Sequence, residues 1–131
     1  MGVYFLKEDT FHSCGSNKLI LIIDLESTCA ENAPNDYHYQ TIEIGAVWAT
    51  FEGDVLARFG VLVRAENLVT DFCSKVTGIT QPDVNGGLPF PVACGELSEF
   101  ASRYPVSVWG SWGNADLKAL TRDCEHHGIA N

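Results

Sequence analysis

The chain has little positive charge and no long apolar run. Eight Lys and Arg residues stand against 17 Asp and Glu, which gives a formal net charge of −9 over 131 residues. This balance excludes a protein that grips nucleic acid through a broad basic face. It does not exclude an enzyme that reaches phosphates through bound divalent cations, because the metal ions supply the positive charge. No apolar run approaches the length of a membrane span, so no membrane partner is expected.

The cysteine spacing excludes two further kinds of site. The five cysteines are odd in number and widely scattered, and no Cys-x-x-Cys pair occurs. Neither a zinc site nor a disulfide framework is therefore supported. The first ten residues lack an apolar stretch of signal-peptide length, since Lys7, Glu8 and Asp9 interrupt them. We expect an intracellular, cytoplasmic protein in a reducing environment.

One stretch organises the rest of the chain, the run LILIIDLE from Leu19 to Glu26. A short run rich in Ile and Leu is typical of a strand buried on both faces. Because unpaired buried charges are costly, Asp24 and Glu26 are expected at the C-terminal end of this strand, where the sheet opens to solvent. Their spacing of two puts both carboxylates on one side, where they repel each other unless a cation lies between them. Oxygen ligands of this kind suit Mg²⁺ or Mn²⁺. The alternative is a solvated acidic turn.

Patterns downstream predict an α/β domain of 18–131, preceded by an extended, irregular arm of residues 1–17. Further strands are predicted at Thr41–Phe51, Val55–Val63 and Val106–Trp109. Helices are predicted at Leu68–Val76, Phe90–Tyr104 and Ala115–His127, with Gly128 as the final cap. Turns are expected at Asn85–Gly87 and Gly110–Asn114. Glu43 falls inside the second strand, where we expect it on the solvated side in a structural role.

A third acid, Asp116, stands in the first turn of the last predicted helix. If the first and fourth strands are parallel neighbours, Asp116 lies beside the end of the first strand. Three carboxylates would then converge at one mouth of the sheet. The helix dipole alone also favours an acid at this position, so the pattern leaves a purely structural explanation open.

Several stretches in order resemble the DEDDh 3′→5′ exonucleases, in the branch of the Eri-1 and KapD type. They are IIDLESTC, TIEIGAVW, DFCSKVTGITQPDV, VWGSWGNADLKAL and DCEHHG. The resemblance runs from about Lys18 to Gly128. It implies a ribonuclease-H-like mixed sheet with flanking helices, here incomplete at its C-terminal end.

The resemblance also implies an activity and a set of roles. The activity is hydrolysis of phosphodiester bonds from the 3′ end of single-stranded RNA or DNA, with RNA favoured by the branch. Asp24, Glu26 and Asp116 match acids that hold two divalent metal ions, Mg²⁺ or Mn²⁺. Segments flanking the substrate are implied at two places, and their residues are Ser27, Thr28, Cys29, Phe72, Thr77, Gly78 and Ile79.

The chain departs from the family at the third motif, a His followed five positions later by an Asp. His126 has Asn131 at that spacing, and ten residues of helix, about 15 Å, separate it from Asp116. His38 has Glu43 at that spacing, but this pair precedes the second motif. We therefore expect little activity from these 131 residues alone.

Two classes of function stay open. One is the N-terminal part of an exonuclease, and the other is a non-catalytic module of the same fold that binds nucleic acid or a nucleotide. An unfinished sheet would leave the fourth strand as an edge, which favours pairing with a second copy as a homo-oligomer.

Overall fold

A computed structural model describes residues 2–5, 19–105, 108–111 and 114–130, with residues 2–5 described by their backbone. In these ranges, five strands form one sheet: β1 (Gly2–Phe5), β2 (Leu19–Ser27), β3 (Thr41–Thr50), β4 (Val55–Leu62) and β5 (Val108–Ser111). Four helices accompany these strands: α1 (Asp71–Thr77), α2 (Gln81–Asn85), α3 (Phe90–Ala101) and α4 (Ala115–His126). The spatial order is β1-β5-β2-β3-β4. The β2–β5 pair is parallel and the other pairs are antiparallel, so the sheet is mixed, as predicted.

β2 is the central strand, and its two faces pack into different clusters. Leu21, Ile23 and Leu25 belong to the main core, which α3 and α4 cover. Ile20 alternates with them and joins a smaller cluster on the opposite face. Asp24 is exposed near the end of the strand. The prediction of a strand buried on both faces with acids at its solvated end is confirmed.

The remaining core is built by α3 against the β3–β4 hairpin. Phe90, Ala93, Leu97 and Phe100 recur at helical spacing and are all buried. Trp48 on β3 is fully buried and donates its indole N–H to the carbonyl of Phe100 at 2.8 Å. This bond satisfies a polar group that would otherwise be costly in the core. α3 ends at Ala101 rather than at Tyr104, since a residue that precedes a proline avoids the helical conformation.

The predictions for the N-terminal arm and the fourth strand need correction. Residues 2–5 form β1, which pairs antiparallel with β5 through partners such as Gly2 and Ser111. Gly110 and Ser111, predicted as part of a turn, are strand residues because this pairing continues the ladder through them. β5 therefore lies between two strands and is no edge, which removes the stated reason for expecting a homo-oligomer. The rest of the arm, and residues 106–107 and 112–113, lie outside the described residues.

Two short helices connect β4 to α3. α1 begins after Thr70, whose side chain accepts a hydrogen bond from the amide of Cys73. α2 was not predicted, yet Thr80 and Asp83 form a capping box, which satisfies two free amides at its start. The predicted turn that follows contains Gly87. A Cβ there would stand 2.7 Å from the carbonyl carbon of Val63, so only glycine allows this close approach.

α4 begins and ends as predicted to within one residue. Gly128 adopts a left-handed φ of 66°, and the amide of Ile129 donates to the carbonyl of Cys124 at 2.8 Å. These contacts satisfy carbonyls that the end of the helix leaves free. In the part of the chain that the structure describes, no helix has both the length and the apolar character to cross a bilayer.

Candidate active site

The acid pair lies where the central strand leaves the sheet. Asp24 and Glu26 are two residues apart on β2, so their side chains share one face. Asp24 is exposed and Glu26 is half-buried. The strand irregularity directly after Glu26 shifts the pairing, and Ser27 faces Thr41. The pair thus stands at the border between regular sheet and loop.

Asp116 contacts β2 beyond the point where β2 stops pairing with β5. The pairing of β2 with β5 runs through Leu21–Trp109 and Ile22–Gly110, and β2 continues beyond it. The amide of Leu25 donates instead to Oδ1 of Asp116, at 3.2 Å. Asp116 is buried in the first turn of α4. The predicted arrangement of parallel strands with Asp116 beside the end of the first strand is confirmed.

The acids around Glu26 change its pKa. Burial is the largest cause that raises the pKa of Glu26 above its ordinary value. Like charges raise this pKa further, and they come from Asp24, Glu43 and Asp116, in that order. A site that raises the proton affinity of a carboxylate in this way also attracts a cation, which relieves the same repulsion.

Carboxylate oxygens are the ligands that a hard divalent cation prefers, so the donor set fits Mg²⁺ or Mn²⁺. Among the described residues, however, no three His, Cys, Asp or Glu side chains already stand in an arrangement that could hold a metal ion. The exposed Asp24 is the acid that is freest to change rotamer. The structure therefore gathers the donors without placing them in a finished coordination shell.

Glu43 belongs to this acidic group, although the sequence favoured a structural role on the solvated side. It is half-buried and lies directly opposite Glu26 in the β2–β3 pairing. Like charges in directly opposed positions destabilise a sheet, so this pair costs folding free energy unless something relieves it. The strand register would have revealed the pairing, but a periodic pattern in one strand does not define its register with another.

The loop after the acid pair is held by buried polar contacts. Thr28 is fully buried, and its hydroxyl accepts hydrogen bonds from the amide of Gln40 at 3.0 Å and from Nδ2 of Asn67 at 3.2 Å. The side chain of Thr28 therefore shapes the loop from inside. Ser27 and Cys29 are half-buried beside it, and they leave part of their surface accessible.

The second predicted substrate segment packs directly against this loop. The hydroxyl of Thr70 donates to the carbonyl of Cys29 at 2.9 Å and accepts from the amide of Cys73. The thiol of Cys73 contacts the carbonyl of Ser27 at 3.7 Å. Phe72 is partly exposed on α1. The structure therefore brings the 27–29 and 72–79 segments together, as the two predicted flanks of one groove require.

The residues at the end of this segment differ in what they expose. Ile79 is buried in a small cluster with Ile42 and Val84. Thr77 is half-buried and donates its hydroxyl to the carbonyl of Cys73 at 2.8 Å. Gly78 is exposed and has a left-handed φ of 76°, which a residue with a Cβ rarely adopts. Of these positions, Gly78 is exposed although its amide already donates to the carbonyl of Ser74 at 2.8 Å, and Ile79 supports the segment from inside.

The thiol at the edge of the site is poorly reactive. Burial raises the pKa of Cys29 to about 11, and its contact with Cys73 and the charge of Glu26 act in the same direction. A thiol of this pKa is almost wholly protonated at neutral pH, and the thiolate is the nucleophilic form. Cys29 is therefore unsuited to covalent catalysis.

The three histidines that the structure describes, His38, His126 and His127, lie at the other end of α4. The rings of His38 and His126 lie 5.0 Å apart, and those of His126 and His127 lie 5.1 Å apart. His127 stacks on Phe90 at 4.9 Å. Among the described residues, no histidine stands in a metal-holding group with the carboxylates. The expectation that His126 lies at the far end of the helix from Asp116 is confirmed.

Comparison with known proteins identifies the family. A family model described as "Exonuclease" (RNase_T) matches residues 21–128. The chain belongs to the RNase_T exonuclease family. The matched region contains Asp24, Glu26 and Asp116, together with the loop and helix segments around them.

Named relatives agree with this assignment. The chain is 34% identical over 117 residues to 3′-5′ exoribonuclease 1 of Homo sapiens, covering 81% of this chain and 33% of that protein. It is 29% identical over 114 residues to the probable 3′-5′ exonuclease KapD of Bacillus subtilis, covering 84% and 55% respectively. The chain therefore spans a third and about half of the length of these two relatives.

A solved structure extends the agreement to the fold. The nuclease domain of 3′hExo, a DEDDh family member bound to rAMP, superposes with a TM-score of 0.77 at 25% identity. The match covers 87% of this chain and 62% of that domain. The predicted ribonuclease-H-like architecture and the resemblance to DEDDh nucleases are confirmed. Exonucleases of this family generally use divalent metal ions.

Proposed function

We propose that this chain supplies the metal-binding and 3′-end-binding part of a 3′→5′ exonuclease that hydrolyses phosphodiester bonds of single-stranded nucleic acid. One observation carries the proposal. Asp116 follows the pair Asp24 and Glu26 by about ninety residues, yet it accepts the amide of Leu25 between them where β2 leaves the sheet, in a chain of the RNase_T family.

Asp24, Glu26 and Asp116 are the residues that would hold Mg²⁺ or Mn²⁺, in the two-metal arrangement that the family resemblance implies. When bound, such ions lower the pKa of a water molecule and neutralise charge at the scissile phosphate. The chain's own contribution is to collect the carboxylates in advance. The amide of Leu25 orients Asp116 through the bond at 3.2 Å, and the exposed Asp24 would be the third residue to hold the ions.

The substrate that fits this surface is a single-stranded 3′ end. Phe72 presents 38% of its surface on α1, and the next residue, Cys73, contacts the carbonyl of Ser27 in the loop after the acid pair. An exposed aromatic ring stacks on an unpaired base, which a duplex does not offer. The backbone at Gly78 lies on the same segment and is exposed. RNA is favoured over DNA through the relatives named as exoribonucleases.

A second candidate function is a non-catalytic module that binds a nucleotide or a nucleic acid end. The observation that favours it is the position of the histidines. The ring of His126 lies next to those of His38 and His127 at the far end of α4 from Asp116, and no His-x-x-x-x-Asp motif occurs in these 131 residues. A general base is typically worth about 10²–10⁴ in rate, so its absence slows hydrolysis without preventing binding.

The two candidates are separated by one assay on the 131-residue chain. A 5′-labelled single-stranded RNA with a free 3′ hydroxyl is incubated with Mn²⁺ and wild type, Asp116→Asn or the control Glu125→Gln, which changes an exposed acid on the same helix. Slow trimming by single nucleotides that is lost in Asp116→Asn and kept in Glu125→Gln supports the exonuclease. Binding without trimming, again dependent on Asp116, supports the binding module. Neither binding nor trimming would contradict both.

A further inference from the structure

A second carboxylate of α4, that of Asp123, accepts four hydrogen bonds from two residues. Asp123 is 4% exposed. Its Oδ2 accepts hydrogen bonds from the amide of Thr41 at 2.9 Å and from the hydroxyl of Thr41 at 2.5 Å. Arg122 completes the set by donating Nε to Oδ1 at 2.9 Å and Nη2 to Oδ2 at 3.2 Å. The family motifs described above assign no role to Asp123.

The position of Asp123 on the helix relates it to the candidate active site. It follows Asp116 by seven residues, which is close to two helical turns, so both carboxylates lie on the same face of α4. Asp116 accepts the amide of Leu25 on β2, and Asp123 accepts the amide of Thr41 at the first residue of β3. Thr41 faces Ser27 in the strand pairing. α4 is therefore tied at two points to the end of the sheet where the site acids lie.

The hydrogen bonds of Asp116 and Asp123 differ in whether a bound cation would compete with them. A carboxylate that binds a cation through its oxygens shares them with the ion, which weakens its competing hydrogen bonds. The bond between Asp116 and Leu25 is exposed to that competition, since Asp116 is a proposed ligand. The bonds of Asp123 are not, because Thr41 and Arg122 already occupy both of its oxygens.

From this geometry we propose that Asp123 is a positioning residue: its carboxylate clamps α4 to the start of β3 and thereby sets where Asp116 stands relative to Asp24 and Glu26. The clamp also adjoins the substrate loop. Gln40, the neighbour of Thr41, exchanges backbone and side-chain hydrogen bonds with Thr28. The proposal rests on the proposed function for the identity of the site, and on the clamp geometry alone for its mechanism.

The test uses the full chain and two readouts. The first is the dissociation constant for Mn²⁺, measured by calorimetry. The second is the amide resonance of Leu25 in metal-free protein, which reports directly on its bond to Asp116. The variants are Asp123→Ala, Asp123→Asn and Thr41→Val, with Glu125→Gln as the control on the exposed face of the same helix. Thr41→Val removes only the hydroxyl donor and keeps the backbone, so it stays informative if Asp123→Ala fails to fold.

We expect the substitutions at Asp123 and Thr41 to weaken Mn²⁺ binding to different degrees. Asp123→Ala weakens Mn²⁺ binding by about tenfold, the lower end of what loss of a supporting partner costs a metal site. Asp123→Asn recovers part of this loss, because its amide oxygen still accepts from Thr41. Thr41→Val gives a smaller loss, Glu125→Gln gives none, and the Leu25 resonance shifts in the same order.

The proposal is overturned if Asp123→Asn and Thr41→Val bind Mn²⁺ as wild type does and leave the Leu25 resonance in place. Failure of the proposed function is recognised separately, since wild type itself then fails to bind Mn²⁺. In that case the Leu25 resonance alone decides whether Asp123 positions Asp116: a shift in the variants supports the clamp, and an unchanged resonance rejects it.

Discussion

At the scale of single residues, the candidate site stores like-charge repulsion. Glu26 lies between Asp24 on its own strand, Glu43 on the facing strand and Asp116 on α4, and its pKa is raised. A carboxyl whose pKa is higher in the folded than in the unfolded chain makes folding less favourable once it ionises. A bound cation would relieve the same repulsion. The repulsion therefore lowers the free energy of unfolding of the metal-free protein, and a bound cation would raise it.

Replacing Glu43 by Gln tests this statement. The substitution removes the like charge directly opposite Glu26, so we expect the metal-free protein to gain about 0.2–1 kcal/mol in free energy of unfolding at pH 7. The pKa of Glu26, followed by NMR of its side-chain carboxyl, falls toward its ordinary value. Glu52→Gln, in the exposed turn between β3 and β4, is the control and changes neither quantity. A loss of stability in Glu43→Gln at unchanged Glu26 pKa would show that Glu43 has a different role.

At the scale of elements, the sequence predicted what local chemistry determines. LILIIDLE indicated a central strand with acids at its open end, and the parallel neighbour placed Asp116 correctly. The sequence pattern did not predict α2, because only the turn signal at Asn85–Gly87 was interpreted there, and the capping box of Thr80 and Asp83 appears in the structure. Nor did the sequence pattern predict that Gly110 continues a strand, because that depends on pairing with residues about a hundred positions away. The opposition of Glu43 and Glu26 was missed for the same reason, since register is a property of two strands together.

The clamp between α4 and β3 makes a prediction at this scale. Burial acts to raise the pKa of Asp123, but the hydrogen bonds from Arg122 and Thr41 outweigh it, so the pKa is lowered. A carboxyl with a lowered folded pKa adds stability above its unfolded pKa of about 3.9 and loses that contribution as pH falls through its folded pKa.

Wild type should therefore exceed Asp123→Asn in free energy of unfolding by about 1–3 kcal/mol at pH 7, the cost of leaving a buried donor poorly satisfied. The difference stays constant down to about pH 5 and shrinks below about pH 4. Urea unfolding of both proteins at each pH measures it. A difference that grows on acidification would contradict the assignment of Asp123 as an ionised acceptor.

At the scale of the whole molecule, net charge and site chemistry limit the substrate. A chain with a net charge of −9 has no surplus of basic groups with which to neutralise the phosphates of a duplex. Its contacts to nucleic acid are expected to concentrate at the site, through bound cations and the exposed ring of Phe72. A splayed 3′ terminal nucleotide can use both contacts, whereas the last base pair of a blunt duplex keeps its base stacked.

We therefore expect tighter binding to a single-stranded RNA with a free 3′ end than to a blunt duplex of the same sequence. Fluorescence anisotropy at physiological salt with Mn²⁺ measures both affinities. Phe72→Ala should weaken the single-strand affinity by about 1–3 kcal/mol, the value of one stacked base. Val76→Ala, at another exposed apolar position of α1, is the control. Equal or tighter binding of the blunt duplex would reject this account of the substrate.

The central claim is that three carboxylates from β2 and α4 form one divalent cation site. Calorimetric titration of Mn²⁺ into wild type, Asp24→Ala and Asp116→Asn tests it most directly. Asp54→Ala, at an exposed acid in the turn before β4, serves as the control for the loss of one negative charge. We predict that wild type and Asp54→Ala bind Mn²⁺ alike, that Asp24→Ala abolishes binding, and that Asp116→Asn weakens it at least tenfold. The same Mn²⁺ affinity in wild type, Asp24→Ala and Asp116→Asn would contradict the claim.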